Sequence, residues 1–143
     1  MKGSHTPYVW SSVMSDSASQ QRPLSPLRRA QRVGEAAAKC GFDWDHPSGP
    51  LAKIGEELEE LKSEIDGGPP DRGRLREELG DLLFSVVNLA RHLDVDAARA
   101  LEEGIDKFER RFQRVEELAG GSLDSLTIDE LEALWQSSKD EEN

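Results

Sequence analysis

Apolar residues in this chain recur at steps of three and four, in stretches separated by Gly, Pro and Asp, and nowhere alternate regularly with polar ones. A period near 3.6 places them on one side of a helix, whereas a half-buried strand needs a period of two. The chain is therefore read as all-α. Leu27, Ala30, Val33, Ala37 and Cys40 mark a first helix that opens at Pro26 and stops at Gly41. The run FDWDHPSGP at 42–50 is expected as a loop. Leu51, Ile54, Leu58, Leu61 and Ile65 form a second stripe, which DGGPPD at 66–71 ends. A third helix is expected from Arg72 to Leu93. A fourth, opening at Asp94 or Asp96, carries Leu101, Ile105, Phe108, Phe112 and Val115 before the glycines at 120–121. Thr127, with Glu130 at the capping-box position, opens a short last helix.

The 143 residues are one domain's worth of chain. Residues 1–23, Ser-rich and without an apolar period, read as a disordered leader that is in part tag-like, with Met14 an expected native start. The domain is placed at 24–139 and an acidic tail at 140–143. A single cysteine, Cys40, excludes an intramolecular disulfide and suits the cytoplasm. No apolar run approaches the roughly 18 residues of a membrane span. The net charge of −11 argues against binding to nucleic acid or anionic lipid.

Acidic residues on a helix edge are usually a solvated flank. On the second helix Lys53, Glu57, Glu60 and Glu64 share one face beside the apolar stripe, with Glu56 further round. The third helix argues for more than a flank. Glu78 and Asp81, three apart, project together, and the same strip continues through Ser85, Asn88 and His92. Almost everything else from Leu79 to Ala90 is apolar, so this helix is expected to be buried within the subunit or against another one. Carboxylates on such a strip need a counter-charge. Oxygen ligands without cysteine or histidine at ligand spacing suit Mg²⁺ first and Mn²⁺ second. His5 and His46 fall in leader and loop, and His92 is read as a helix-end polar residue. On the fourth helix Lys107, Arg111 and Arg114 share a face, either pairing with Glu103, Glu109 or Glu116 or binding phosphate oxygens.

Taken together, KIGEELEEL, EELGDLLFSVVNLARHL and KFERRFQRVEEL, in this order and spacing, resemble the MazG family of nucleoside triphosphate pyrophosphohydrolases. The family pattern Glu-Glu-x-x-Glu, spacer, Glu-x-x-Asp falls here on Glu56, Glu57, Glu60, Glu78 and Asp81. The upstream AAAKCGFDW and terminal LEALWQSSK resemble the second half of two-domain members, so the likeness covers roughly residues 24–139. The resemblance implies a helical bundle completed by oligomerisation and Mg²⁺-dependent hydrolysis of a (deoxy)nucleoside triphosphate to monophosphate and pyrophosphate. It implies Glu57, Glu60, Glu78 and Asp81 as metal ligands, with Lys53, Lys107 and Arg111 on the triphosphate. Trp135 and Lys139 would lie near the nucleotide, the indole covering it. Glu56 or Glu57 is expected to take the proton of the attacking water, and Phe84 and Asn88 are read as base or ribose contacts. A homodimer or higher oligomer is expected, because too few helices are present to cover the third on all sides.

Two other readings stand beside this one. A dUTP- or dCTP-selective pyrophosphatase, or a phosphoribosyl-ATP pyrophosphohydrolase, would use the same helical metal site. A non-catalytic acidic module that binds a cation or a partner protein would use the acids without the chemistry.

Overall fold

The computed structural model describes residues 23–142, which form five helices and, among those residues, no strand. These are α1 (Pro26–Lys39), α2 (Ser48–Asp66), α3 (Arg72–His92), α4 (Ala97–Leu118) and α5 (Ile128–Asp140). The all-α expectation is met. The leader expected over 1–23 lies outside the described residues except for Pro23.

Local chemistry sets the helix ends. Ser25 accepts a hydrogen bond from the Arg28 amide, and Pro26 takes the first helical position, where a missing N–H costs nothing. Asp71 accepts from the amides of Gly73 (2.8 Å) and Arg74 (3.4 Å) at the head of α3. The Thr127 hydroxyl accepts from the Glu130 amide while the Glu130 carboxylate accepts from the Thr127 amide (2.8 Å), the reciprocal capping box read from the sequence. Gly41, at φ +88°, ends α1, with the Phe42 amide reaching back to the Ala37 carbonyl.

One boundary differs from expectation. The loop after α1 ends at Pro47, three residues early, because Ser48-Gly49-Pro50 already forms the first turn of α2. The N-cap residue, Pro47, offers no side-chain cap, and the Ser48 amide instead donates to His46 Nδ1 at 3.1 Å, just before the helix. Pro50 sits in that first turn, where it forfeits no helical hydrogen bond, and is fully buried.

The chain divides into two compact units, the first ending at Ala98 and the second starting at Arg99. In the first, α3 packs against both α1 and α2. Ala36 and Val87 are buried there, and so are two polar side chains, Glu57 and Ser85. Only one side of α3 is covered. Leu79, Leu83, Phe84 and Val86 remain between 43% and 54% exposed, so packing against α1 and α2 does not provide the burial expected of this helix.

In the second unit Phe108 stacks on Phe112 at 5.8 Å and meets the Trp135 indole at 5.1 Å. Val115 and Ser138 are buried, and the Ser138 hydroxyl donates to the Trp135 carbonyl at 2.7 Å. Arg111 pairs with Glu142, and Arg114 with Glu117 and, through two nitrogens, Glu141. The acids that meet Arg111 and Arg114 thus come mainly from the residues just after α5, not from Glu103, Glu109 or Glu116.

Candidate active site

The glycine- and proline-bearing turn at 67–71 folds α3 back beside α2. That brings the Glu57 and Glu60 carboxylates, spaced three apart, beside Glu78. Oxygen atoms of Glu57, Glu60 and Glu78 all lie within 4.8 Å of one another. Glu57 is buried, at 3% exposure, while Glu60 is open to solvent. The Glu57 Oε1 atom takes an ion pair from Lys53 Nζ at 2.6 Å; its Oε2 atom is buried without any hydrogen-bond partner. A buried carboxylate oxygen left without a donor is costly. Burial pushes the Glu78 carboxyl above its ordinary range, and the charges of Glu60, Glu57 and Asp81 push it further the same way. Lys53 is held more firmly protonated, chiefly by its bond to Glu57. An excess of mutually repelling oxygens around one orphaned atom fits a hard divalent cation, and the donor set contains nothing softer.

Lys53 also lines a pocket of about 640 Å³ next to the N-terminal turns of α2. This is the range of small-ligand sites. Phe42, Trp44 and Phe84 supply aromatic surface, and Ser85, Asn88 and Arg91 line it along α3. Gly49 is what lets the Trp44 ring lie here: a Cβ at that position would meet the indole Cδ1 at 2.3 Å.

An ion cluster fixes the rim. Arg91 grips the Asp43 carboxylate through Nη2 (2.6 Å) and Nη1 (3.0 Å), and His92 Nε2 lies 2.8 Å from the same group. Arg91 also donates to Asn88 Oδ1 from Nε (3.0 Å) and Nη2 (2.8 Å). The Arg91 hydrogen bonds, followed by that of His92, hold the Asp43 carboxyl down to about 2 against the opposing effect of burial. Gly34 of α1 faces this cluster, where an added Cβ would stand 3.1 Å from Asn88 Oδ1 and 3.2 Å from Arg91 Nε. A glycine inside a helix here serves close approach of α1 to α3.

Of the residues expected at the site, the first unit brings Glu57, Glu60 and Glu78 into one cluster and Lys53, Phe84 and Asn88 around one pocket. Asp81 is exposed and outside the three-carboxylate group, though near enough for its charge to act on Glu78. Glu56 is exposed, 3.5 Å from Lys53. Lys107, Arg111, Trp135 and Lys139 belong to the second unit. Sequence reasoning placed Phe42 and Trp44 on a loop without giving them a role, and missed Asp43 and Arg91. His92 is the helix-end polar residue expected, but its partner, 49 positions away, was not legible.

Residues 47–116 match the MazG nucleotide pyrophosphohydrolase domain. Over 121 residues the chain is 46% identical to a Thermotoga maritima protein named nucleoside triphosphate pyrophosphohydrolase/pyrophosphatase MazG, covering 82% of this chain and 46% of that relative. Over 124 residues it is 40% identical to the nucleoside triphosphate pyrophosphohydrolase of Escherichia coli K12, covering 85% of this chain and 47% of the relative. The chain therefore spans about half the length of these curated relatives. With the paired acidic helices and the family match on the same residues, the chain belongs to the MazG family.

Proposed function

We propose that this chain hydrolyses nucleoside triphosphates to the monophosphate and pyrophosphate with a divalent cation, Mg²⁺ before Mn²⁺. The observation that carries the reading is the buried, partnerless Oε2 of Glu57 within the Glu57–Glu60–Glu78 cluster, joined through Lys53 to a nucleoside-sized pocket. Water adds to the α-phosphorus, the bond from that phosphorus to the bridging oxygen breaks, and pyrophosphate leaves. Glu57, Glu60, Glu78 and Asp81 would hold the cation, which when bound supplies charge neutralisation and a more acidic water. Glu56 or Glu57 accepts the proton from the attacking water. Lys53 stands between cluster and pocket, suited to a phosphate oxygen beside the sugar. Phe84, Trp44 and Asn88 are assigned to the base. On the second unit, Lys107 and Arg111 are carried as triphosphate contacts, and Trp135 and Lys139 as nucleotide contacts, on the family resemblance.

We further infer that the working form is a homodimer or higher oligomer, supported by the apolar side chains that α3 leaves exposed. Product analysis with each standard NTP, each dNTP and dUTP tests the activity. Monophosphate and pyrophosphate should form with Mg²⁺ and stop with EDTA. A folded, cation-binding protein that turns over none of them would overturn the reading in favour of a binding module.

A further inference from the structure

The polar side chains around the pocket are not equivalent. Among those lining it are Lys53, Ser85, Asn88 and Arg91. Lys53 is committed to Glu57, and Arg91 to Asp43 and Asn88. The Ser85 hydroxyl rotates and so serves a donor or an acceptor equally. Asn88 is different, because its amide has been given a direction. A guanidinium only donates, so the Asn88 atom that receives Arg91 Nε and Nη2 must be the carbonyl oxygen. The nitrogen is then turned away from Arg91. Among the described residues no acceptor takes that NH₂ group. It is also absent from the sealed, unsatisfied atoms of the protein, so it opens onto accessible space, and the space that Asn88 lines is the pocket.

We infer that Asn88 is a specificity-determining residue that presents an amide donor to the base and selects an exocyclic carbonyl over an exocyclic amine at the edge facing α3. At C6 of a purine or C4 of a pyrimidine, guanine, hypoxanthine, uracil and thymine carry such a carbonyl, and adenine and cytosine carry the amine. Arg91 is the positioning residue that stops the amide from turning over, and Asp43 holds Arg91 from the aromatic loop. An amine set against the amide donor leaves both groups without an acceptor, which costs about a factor of ten or more in transition-state binding. The inference rests on the nucleotide reading above and deepens it.

The test compares kcat/KM for inosine and adenosine triphosphates, whose bases differ at the six-position and the protonation of N1. The native protein should favour inosine triphosphate by about tenfold. Asn88→Asp keeps an oxygen towards Arg91 and turns a second oxygen, an acceptor, to the base, so the ratio should fall below one. Arg91→Gln frees the amide to turn over, and the ratio should relax towards one; it decides the matter if Asn88→Asp does not fold. A native ratio at or below one, or a ratio that neither variant moves, overturns the assignment while turnover itself upholds the pyrophosphohydrolase. Turnover of neither nucleotide by the native protein overturns that reading, and this inference with it.

Discussion

Glu57 spends one carboxylate oxygen on Lys53 and leaves the other buried without a donor, next to Glu60 and Glu78. That arrangement is poor for a protein without a cation and good for one with it. Glu60→Ala should therefore act in two opposite directions. Without metal, removing one charge that raises the Glu78 pKa should slightly raise the melting temperature. With Mg²⁺, the variant should lose the metal-induced rise of the native protein, and turnover should drop by at least about 10²-fold. Thermal melts with and without Mg²⁺ check both directions, and a variant that keeps the full metal response removes Glu60 from the site.

Asp43 gives a pH prediction at the same scale. Its folded pKa, about 2, lies below the ordinary 3.8, so its contribution is complete above 3.8 and disappears as pH falls through 3.8 towards 2. The side chain is about a quarter exposed, which limits that contribution to about 1 kcal/mol. Asp43→Asn should melt below the native protein at neutral pH, and the two melting curves should converge between about pH 4 and pH 2. A constant gap down to pH 2 would show that the carboxylate charge contributes nothing.

At the scale of elements, caps and turns were legible because their chemistry is local. Thr127 and Glu130 are three residues apart and need no other part of the molecule to form their box. Thr127→Ala should cost about 1 kcal/mol, measurable by urea denaturation, with Glu130 losing the hydroxyl hydrogen bond, the lesser of the two that hold its pKa down. The start of α2 was misread because its N-cap residue, Pro47, offers no side-chain cap and Ser48-Gly49-Pro50 has the composition of a loop. Gly49 is also where loop and helix press together. Gly49→Ala sets a Cβ 2.3–2.9 Å from Trp44 atoms near its backbone, so the ring cannot simply swing its far end clear. We expect about 1–3 kcal/mol of destabilisation and a raised KM for nucleotide, as the indole leaves the pocket wall. An unchanged KM would remove Trp44 from base binding.

At the scale of the whole molecule, the exposed apolar residues of α3 are the dominant fact. Leu83 is 54% exposed on the same helix that carries Glu78 and lines the pocket. Sedimentation at micromolar concentration should show a dimer or larger species. Leu83→Glu should shift it to monomer by weakening association about 100-fold or more, since burying an unpaired carboxylate is costly. A native protein that sediments as monomer defeats the oligomer outright. No helix among the described residues is long and apolar enough to cross a membrane, so a bilayer span does not account for this surface.

The helical period, the stops at Gly and Pro, and the i, i+3 acids on two successive helices were all set by covalent order, because each depends on residues within a turn or two of one another. That sufficed for the all-α class, for the helix ends within a few residues, and for three of the four acids read together, Asp81 falling outside the cluster. Packing decided the rest. Glu57 is buried while Glu60 is open, a difference that one helical turn of sequence does not reveal. The pocket needs the loop after α1, the first turn of α2 and the last turns of α3 at once. Asp43 finds Arg91 and His92 across 48 and 49 positions. Those contacts exist only after the helices have packed, since an ion pair across such a distance is too weak to order the open chain and depends on the fold to hold its ends together.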